Sequence, residues 1–432
     1  MTIFRSTFIW LVVSLLFCSP ALAARIEISA PGEQTIPLAI TKLLPLQAPQ
    51  AGVAEEFQRV LEADLDLSGL FELVNPAAFL SDAGQLTLSS TQVDFAQWRL
   101  LGTEAVIKGG YELQGDDLTI ELRLYDVVSR RLLTGRRYLG KKGDVRKIAH
   151  TFADQVLLSL TGELGPFSSR IAYISTRSGS KELYLMDVDG DKPQRLTDHR
   201  SIVLNPDFAP DRKELIFTSY KAGNPDLYRK EIYTGRESRL SLKQGLNIGG
   251  RYRPDGREVA LTLSKDQNSE IYLLGTDGTI HKRLTNHYGI DVDPSWSPDS
   301  NRIAFVSDRR GNPNVFIVDV HSLEVERLTY EGKYNATPAW SPKGERIAFS
   351  RLEDREFNIY TIKPDGSDER RLTFGPGSKE HPRWSPDGRF LVYSLERNRE
   401  KSIWVMRADG TGARRLSAAG GNDTHPAWSG RW

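Results

Sequence analysis

The sequence predicts two domains, a small N-terminal α/β domain followed by an all-β six-bladed β-propeller. Three observations carry this. A phrase that is fullest at Pro382-Arg383-Trp384-Ser385-Pro386-Asp387-Gly388 returns every 44 residues. The same short apolar runs surround each copy at a constant spacing, as stacked supersecondary units require. Ahead of the first copy, the apolar period is helical in some stretches and alternating in others.

From the N-terminus, residues 1–23 read as a secretory signal. Arg5 is followed by an apolar run from Phe8 to Phe17 and by the small-residue site Ala21-Leu22-Ala23. The run is shorter than the about 20 residues a bilayer crossing needs. The bulky Phe17 before Cys18 argues against a lipid-anchored cysteine. Removal of the segment leaves equal numbers of basic and acidic residues and no cysteine. The mature chain is thus expected to be exported, free of disulfides and soluble, with no direct membrane insertion. Its balanced charge, 57 Lys and Arg against 56 Asp and Glu in the full chain, is not that of a nucleic-acid surface.

The first domain is expected over residues 24–164. Ala24-Arg25-Ile26-Glu27-Ile28 reads as a short strand or flexible arm before Pro31-Gly32. Ile36 to Leu46, interrupted by Pro37 and Pro45, reads as an edge-type strand. Val53, Phe57, Val60, Leu61 and Leu65 share one helical face, and Ser68-Gly69 ends that helix. Leu70 to Val74 is a strand, and Asp94 caps a short helix through Leu101. Three strands follow: Ala105 to Leu113, Leu118 to Leu124 and Leu132 to Leu139. Gly109-Gly110 in the first of them reads as a bulge. A helix from Asp144 to Leu160 carries an apolar stripe from which His150 departs, so His150 is expected to be solvated. The sheet is expected to be mixed or antiparallel, with helices over it.

Residues 165–432 form the repeats. Each unit starts with a Pro-x-Trp strand, at Trp296, Trp340, Trp384 and Trp428, and turns on Ser-Pro-Asp-Gly, whose residues suit that turn. The second strand, such as Ile303-Ala304-Phe305-Val306, is apolar at consecutive positions, as when both of its faces are covered. The third often leaves through Asp-Gly, as at Asp365-Gly366. The fourth carries leucine at 196, 240, 284, 328, 372 and 416. Four strands in 44 residues is a propeller blade, and six leucines make six blades. The repeats open on a second strand, at Ile171, and end on a first strand, Pro426 to Ser429. The C-terminal strand is therefore expected to complete the first blade and close the ring.

Variable residues at the mouth of the channel are the candidate site. Just before each Pro-x-Trp stand Asn205, Gly249, Asp293, Thr337, His381 and His425. Two residues earlier stand Val203, Asn247, Asp291, Asn335, Lys379 and Asp423. A constant frame with a changing rim suits a scaffold with a tuned binding surface. His381, His425 and Asp293 have the side-chain types of metal ligands, but their approach is open at this level, and no metal or other cofactor is assigned. Asp187-Val188-Asp189-Gly190-Asp191 lacks the glycine and glutamate of a calcium loop and reads as a hairpin turn. The tryptophans, fixed in the repeat, read as packing residues, and no nucleophile motif occurs.

In its Trp-Ser-Pro-Asp-Gly, Ile-Ala-Phe, Asp-Gly and Arg-Leu-Thr sequences the chain resembles the TolB-type propeller family. The resemblance covers essentially the whole mature chain. It implies a periplasmic, non-enzymatic binding protein of the Tol–Pal system of Gram-negative bacteria, read here as a monomer. By that resemblance the propeller mouth receives the peptidoglycan-associated lipoprotein Pal, and some colicins exploit the same surface. The N-terminal segment engages the inner-membrane protein TolA, and the complex supports outer-membrane integrity and invagination at division. Carried over by position, the Pal-facing residues are Asn205, Leu246, Asn247, Asp291, Asp293, Asn335, Thr337, His381 and His425. The TolA-facing residues are Ala24, Arg25, Ile26, Glu27 and Ile28. The chain departs from the pattern at Gly249-Gly250-Arg251-Tyr252, which lacks both the proline and the tryptophan. Related repeats occur in some sugar lyases, so a metal-dependent polysaccharide lyase and a carbohydrate-binding propeller are the alternatives.

Overall fold

A computed structural model describes residues 35–432. The expected signal segment and the Ala24 to Ile28 arm lie outside the described residues. In the first domain, strands β1 (Ile36–Ile40), β2 (Leu44–Pro45), β3 (Phe71–Leu73), β4 (Ala105–Gln114), β5 (Asp117–Asp126) and β6 (Arg131–Lys141) build one mixed sheet. Its order is β3-β1-β4-β5-β6, and β2 pairs with β4. Helices α1 (Val53–Ser68) and α3 (Val145–Thr161) pack on it through their apolar stripes, and α2 (Phe95–Leu100) is capped by the Asp94 carboxylate. Glycines in the left-handed region, Gly69 and Gly162, end the two long helices.

Three expectations need correction here. β1 is not an edge: it pairs in parallel with β3 on one side and β4 on the other. Pro37 is tolerated because it sits at the start of the strand and needs only its carbonyl, which accepts from the Glu104 N–H at 2.9 Å. Gly109 and Gly110 form no bulge, for β4 runs in regular register with β5, and the slip falls between Leu124 and Tyr125 on β5 instead. The glycines are there for close approach. A Cβ on Gly109 would lie 2.5 Å from the Glu121 carbonyl oxygen, and one on Gly110 would lie 2.7 Å from the Leu46 side chain. His150 is buried, and its Nδ1 lies 2.7 Å from Asp64 Oδ2 of α1. α1 packs over the side of α3 that carries His150, so this polar position is enclosed although Lys147 and Leu158 of the same helix remain exposed.

The repeats form six four-stranded antiparallel sheets around an axis. Blade 1 takes its first strand from the C-terminus, Asp423–Trp428, beside Arg170–Ser175, Glu182–Asp187 and Gln194–Arg195. Blades 2 to 6 begin at Val203–Phe208, Asn247–Tyr252, Asp291–Trp296, Asn335–Trp340 and Ser378–Trp384. The closure thus pairs Thr424 with Ile174 and Trp428 with Ile171. Second-strand residues such as Ile303, Ala304 and Phe305 are fully enclosed between neighbouring sheets.

The tryptophans sit between blades. Trp296 Nε1 donates to the Arg251 carbonyl at 3.2 Å, and Trp384 Nε1 to that of Ala339 at 2.9 Å. Trp428 Nε1 reaches Ser169 Oγ at 2.6 Å. One apolar core runs through α1, α3, the sheet of the first domain and blades 1 and 6, with Phe167 against Phe390 at 6.1 Å.

Candidate functional site

The first strand of every blade lines the axis and carries the same irregularity. Its register slips between residues 204 and 207, 248 and 251, 292 and 295, 336 and 339, 380 and 383, and 424 and 427. The cause is local. Proline follows the bulged residue in five blades, and it has no N–H for the ladder, so it is accommodated where pairing lapses. The residue before it turns left-handed in all six, with φ of 51° at Asn205, 68° at Gly249, 55° at Asp293, 51° at Thr337, 57° at His381 and 49° at His425. For residues other than glycine, that conformation costs about 1–2 kcal/mol each.

The bulges bring these positions of neighbouring blades close together around the axis. The His381 and His425 rings lie 4.0 Å apart, centroid to centroid. A Cβ on Gly249 would be 3.7 Å from Asp293 Oδ1 and 3.8 Å from Asn205 Nδ2. His381 Nδ1 is 3.1 Å from Ser394 Oγ, His425 Nδ1 is 3.0 Å from Thr424 Oγ1, and Thr337 Oγ1 is 2.9 Å from Ser350 Oγ. Among the described residues, the Asn205 and Asp293 side chains and both histidine Nε2 atoms have no hydrogen-bond partner. Strained backbone at an unpartnered polar neck is a mark of function.

Burial pushes the His381 imidazole down to about 3, and the positive charges of Lys401, Arg251 and Lys181 push the same way. His425 is likewise held well below its usual value, by burial first and then by His381 and the same cations. Burial raises Asp293, against the pull of Arg251. At neutral pH the neck therefore presents two uncharged imidazoles in a field set by cations. No group of three or more His, Cys, Asp or Glu suited to a metal occurs among the described residues.

A second layer, absent from the sequence-based candidates, lies one step deeper. Asp207 accepts from the Tyr252 N–H at 2.9 Å and lies 3.9 Å from Arg251, and burial lifts it to about 6. Arg383 donates to the Pro382 carbonyl at 3.1 Å. Asp207, Arg251 and Arg383 line a cavity of about 470 Å³ whose wall is completed by Tyr252, the four tryptophans and the turn prolines.

On the other side, the loops that lead from each fourth strand into the next first strand form a collar around the neck. Ile202, Ile290 and Tyr334 are exposed there at 44-residue spacing, with Leu246, half-buried, at the matching place. Tyr288, Tyr330 and Phe374 project further out, all at least 69% exposed. Such a gathering of exposed apolar residues marks a contact surface. Its signal was present in the sequence as apolar residues inside Gly- and Asn-rich loops at the repeat spacing.

Of the residues expected to meet a partner, Asn205, Asp293, Thr337, His381 and His425 converge on the neck, and Leu246 stands in the collar. Asn247, Asp291 and Asn335 are corrected: all three are fully buried. Asn247 holds Ser241 and Lys243, Asp291 holds Arg309 at 2.7 Å, and Asn335 binds Asn314 and Arg351. They face into the blade because side chains alternate along a strand. Their work is to position the collar loops.

These features define a two-domain protein in which an α/β domain precedes a six-bladed propeller whose unpartnered polar groups gather at one axial mouth. The chain belongs to the TolB β-propeller family. Residues 158–431 match the family described as TolB beta propeller domain, and residues 24–133 match the TolB amino-terminal domain. A relative from Syntrophotalea carbinolica named Tol-Pal system protein TolB is 63% identical over 204 residues, 47% of each chain. One of the same name from Geobacter sulfurreducens is 48% identical over 184 residues, 42% of each chain. The chain thus spans about half the length of the curated relatives it matches. The crystal structure of TolB from Acinetobacter baumannii superposes with a TM-score of 0.80 at 26% identity, covering 92% of this chain and 97% of that one.

Proposed function

We propose that this protein is a periplasmic, non-enzymatic scaffold of the Tol–Pal system. Its propeller mouth binds the lipoprotein Pal, and its N-terminal arm, Ala24 to Ile28, binds TolA. The link between the two membranes supports outer-membrane integrity and constriction at division, and some colicins would enter by the same mouth. The observation that carries this reading is the ring of strained residues, with Asn205, Asp293 and the two imidazoles unpartnered inside an apolar collar. A rigid neck with open hydrogen-bonding groups and a greasy rim suits a protruding segment of another protein, with apolar anchors outside and polar recognition within. Exposed collar side chains spread over four of the interblade loops make a broad contact area, which a small-molecule pocket does not need.

The test is retention on immobilised Pal and on immobilised TolA. Replacing Asp293, His381 and His425 together by alanine is expected to abolish most retention on Pal and to leave capture by TolA intact. Deleting residues 24–28 is expected to do the reverse. Undiminished retention of the triple variant on Pal would remove the neck from the reading.

A further inference from the structure

The residue before each fourth-strand leucine is an arginine in every blade, at 195, 239, 283, 327, 371 and 415. Five of these are neutralised. Arg195 pairs with Asp198, Arg239 with Asp226, Arg283 with Glu270, Arg371 with Glu353 and Arg415 with Glu400, all within 3.4 Å. Arg327 of blade 4 is the exception: no carboxylate lies within 4.0 Å of it among the described residues. The repeat shows why. The position that is Asp226 in blade 2 and Glu270 in blade 3 is Asn314 in blade 4. The positions of Glu353 in blade 5 and Glu400 in blade 6 are taken in blade 4 by Arg309 and Asn312.

The unpaired arginine borders a cavity. His287, Tyr288, Arg309, Arg310 and Arg327 line a space of about 310 Å³ between the loop leaving blade 3 and the body of blade 4. Arg309 is committed, with Nη2 on Asp291 and its guanidinium 5.1 Å from the Phe316 ring. Arg310 is exposed and, like Arg327, has no carboxylate within 4.0 Å among the described residues. Arg327 is held in place, because Nε donates to the Thr329 carbonyl at 2.7 Å and its guanidinium lies 4.9 Å from the Tyr330 ring centroid. The Tyr288 ring lies tilted against His287, centroids 4.1 Å apart, and closes one side, donating its hydroxyl to the Arg309 carbonyl at 3.1 Å. Two uncompensated guanidiniums, one of them pre-oriented, beside an imidazole are the donor set for a multivalent oxyanion.

We propose that this blade-4 cavity binds an oxyanion, a phosphate or polycarboxylate group, between Arg310 and Arg327. It lies apart from the axial neck, in the outer collar, where it shares Tyr288 and Tyr330 with the exposed apolar surface. The groove around Arg397 and Arg399 in blade 6 supplies the contrast, because Glu356 and Glu396 line it with those arginines.

The experiment is calorimetric titration of the full chain at low ionic strength, with pyrophosphate in one arm and citrate in the other. Saturable binding is expected in at least one arm. Binding by pyrophosphate alone would assign a phosphoryl ligand, and binding by citrate alone a polycarboxylate. The double variant Arg310→Gln, Arg327→Gln should weaken binding by about tenfold or more. Asn314→Glu, which restores the acid of blade 3 while keeping every arginine, should weaken it comparably. Arg397→Gln with Arg399→Gln should leave it unchanged. No saturable binding in either arm, or an equal loss in the blade-6 variant, would overturn the proposal. Circular dichroism melting of each variant separates loss of binding from loss of fold.

Discussion

At Thr337 a β-branched residue holds a φ of 51°, in a region such residues avoid. The comparison of two substitutions isolates the strain. Thr337→Gly and Thr337→Ala both lose the hydroxyl contact with Ser350, but only glycine relieves the backbone. The glycine variant is therefore expected to be more stable than the alanine variant by about 1 kcal/mol in urea unfolding. In an ordinary extended strand the order would be the opposite. The neck histidines give a second prediction. Burial holds both imidazoles down in the native state, His381 to about 3, so they stay neutral as pH falls, whereas the unfolded chain takes up two protons near pH 6.5. Their contribution to stability is thus complete above pH 6.5 and is lost as pH falls towards 3. In a His381→Asn, His425→Asn variant the loss of stability between pH 6.5 and 4 should be shallower than in the parent chain.

The unit element is the blade, and its first strand does two jobs. The end that holds the left-handed residue faces the mouth, and the end that holds the tryptophan wedges against the adjoining sheet. Trp340 is 6% exposed, packs in the core shared with blade 4 and donates its backbone N–H to Ser295 Oγ at 2.9 Å. Trp340→Ala is expected to cost about 3–5 kcal/mol of stability, read as a lower midpoint in urea. Retention on Pal by the fraction that stays folded should be kept, because the tryptophan lies on the far side of the neck. Parallel loss of binding in that fraction would show that the two ends of the strand are coupled.

Over the whole molecule, the two domains are joined by charge as well as by core. Arg146 of α3 is 1% exposed and binds Asp189 and Asp191 on the turn after the third strand of blade 1, with Nε 2.9 Å from Asp191. Arg407 and Arg414 of blade 6 donate to the carbonyls of Asp66, Leu67 and Ala63 at the C-terminal end of α1, at 3.0–3.1 Å. These contacts complement the negative end of the helix. Arg146→Ala would leave the largely buried Asp189 without its guanidinium partner, whereas Asp191 reaches solvent. The substitution is expected to cost about 3–5 kcal/mol and to split a shared calorimetric melting transition into separate transitions for the two domains. One unchanged transition would show that the shared apolar core alone couples them.

Repetition made the propeller legible. A 44-residue period with fixed Pro, Trp, Gly and Leu positions specifies strand, turn and blade, because each is set by residues close in sequence. Blade count, ring closure by the C-terminal strand and the helices of the first domain were all readable for that reason. The pre-proline ring was readable as a set of positions, and Asn205, Gly249 and Asp293 are residue types that tolerate a left-handed turn, but the geometry itself was not foreseen. Tertiary structure decided the rest. Whether His150 met water, whether β1 was an edge and whether Asn247, Asp291 and Asn335 faced the mouth or the blade depended on segments distant in sequence. The same holds for the role of Asp189 and Asp191, which the sequence presents only as a hairpin turn. Local sequence determines how a segment bends, whereas its neighbours determine which of its faces is left for a partner.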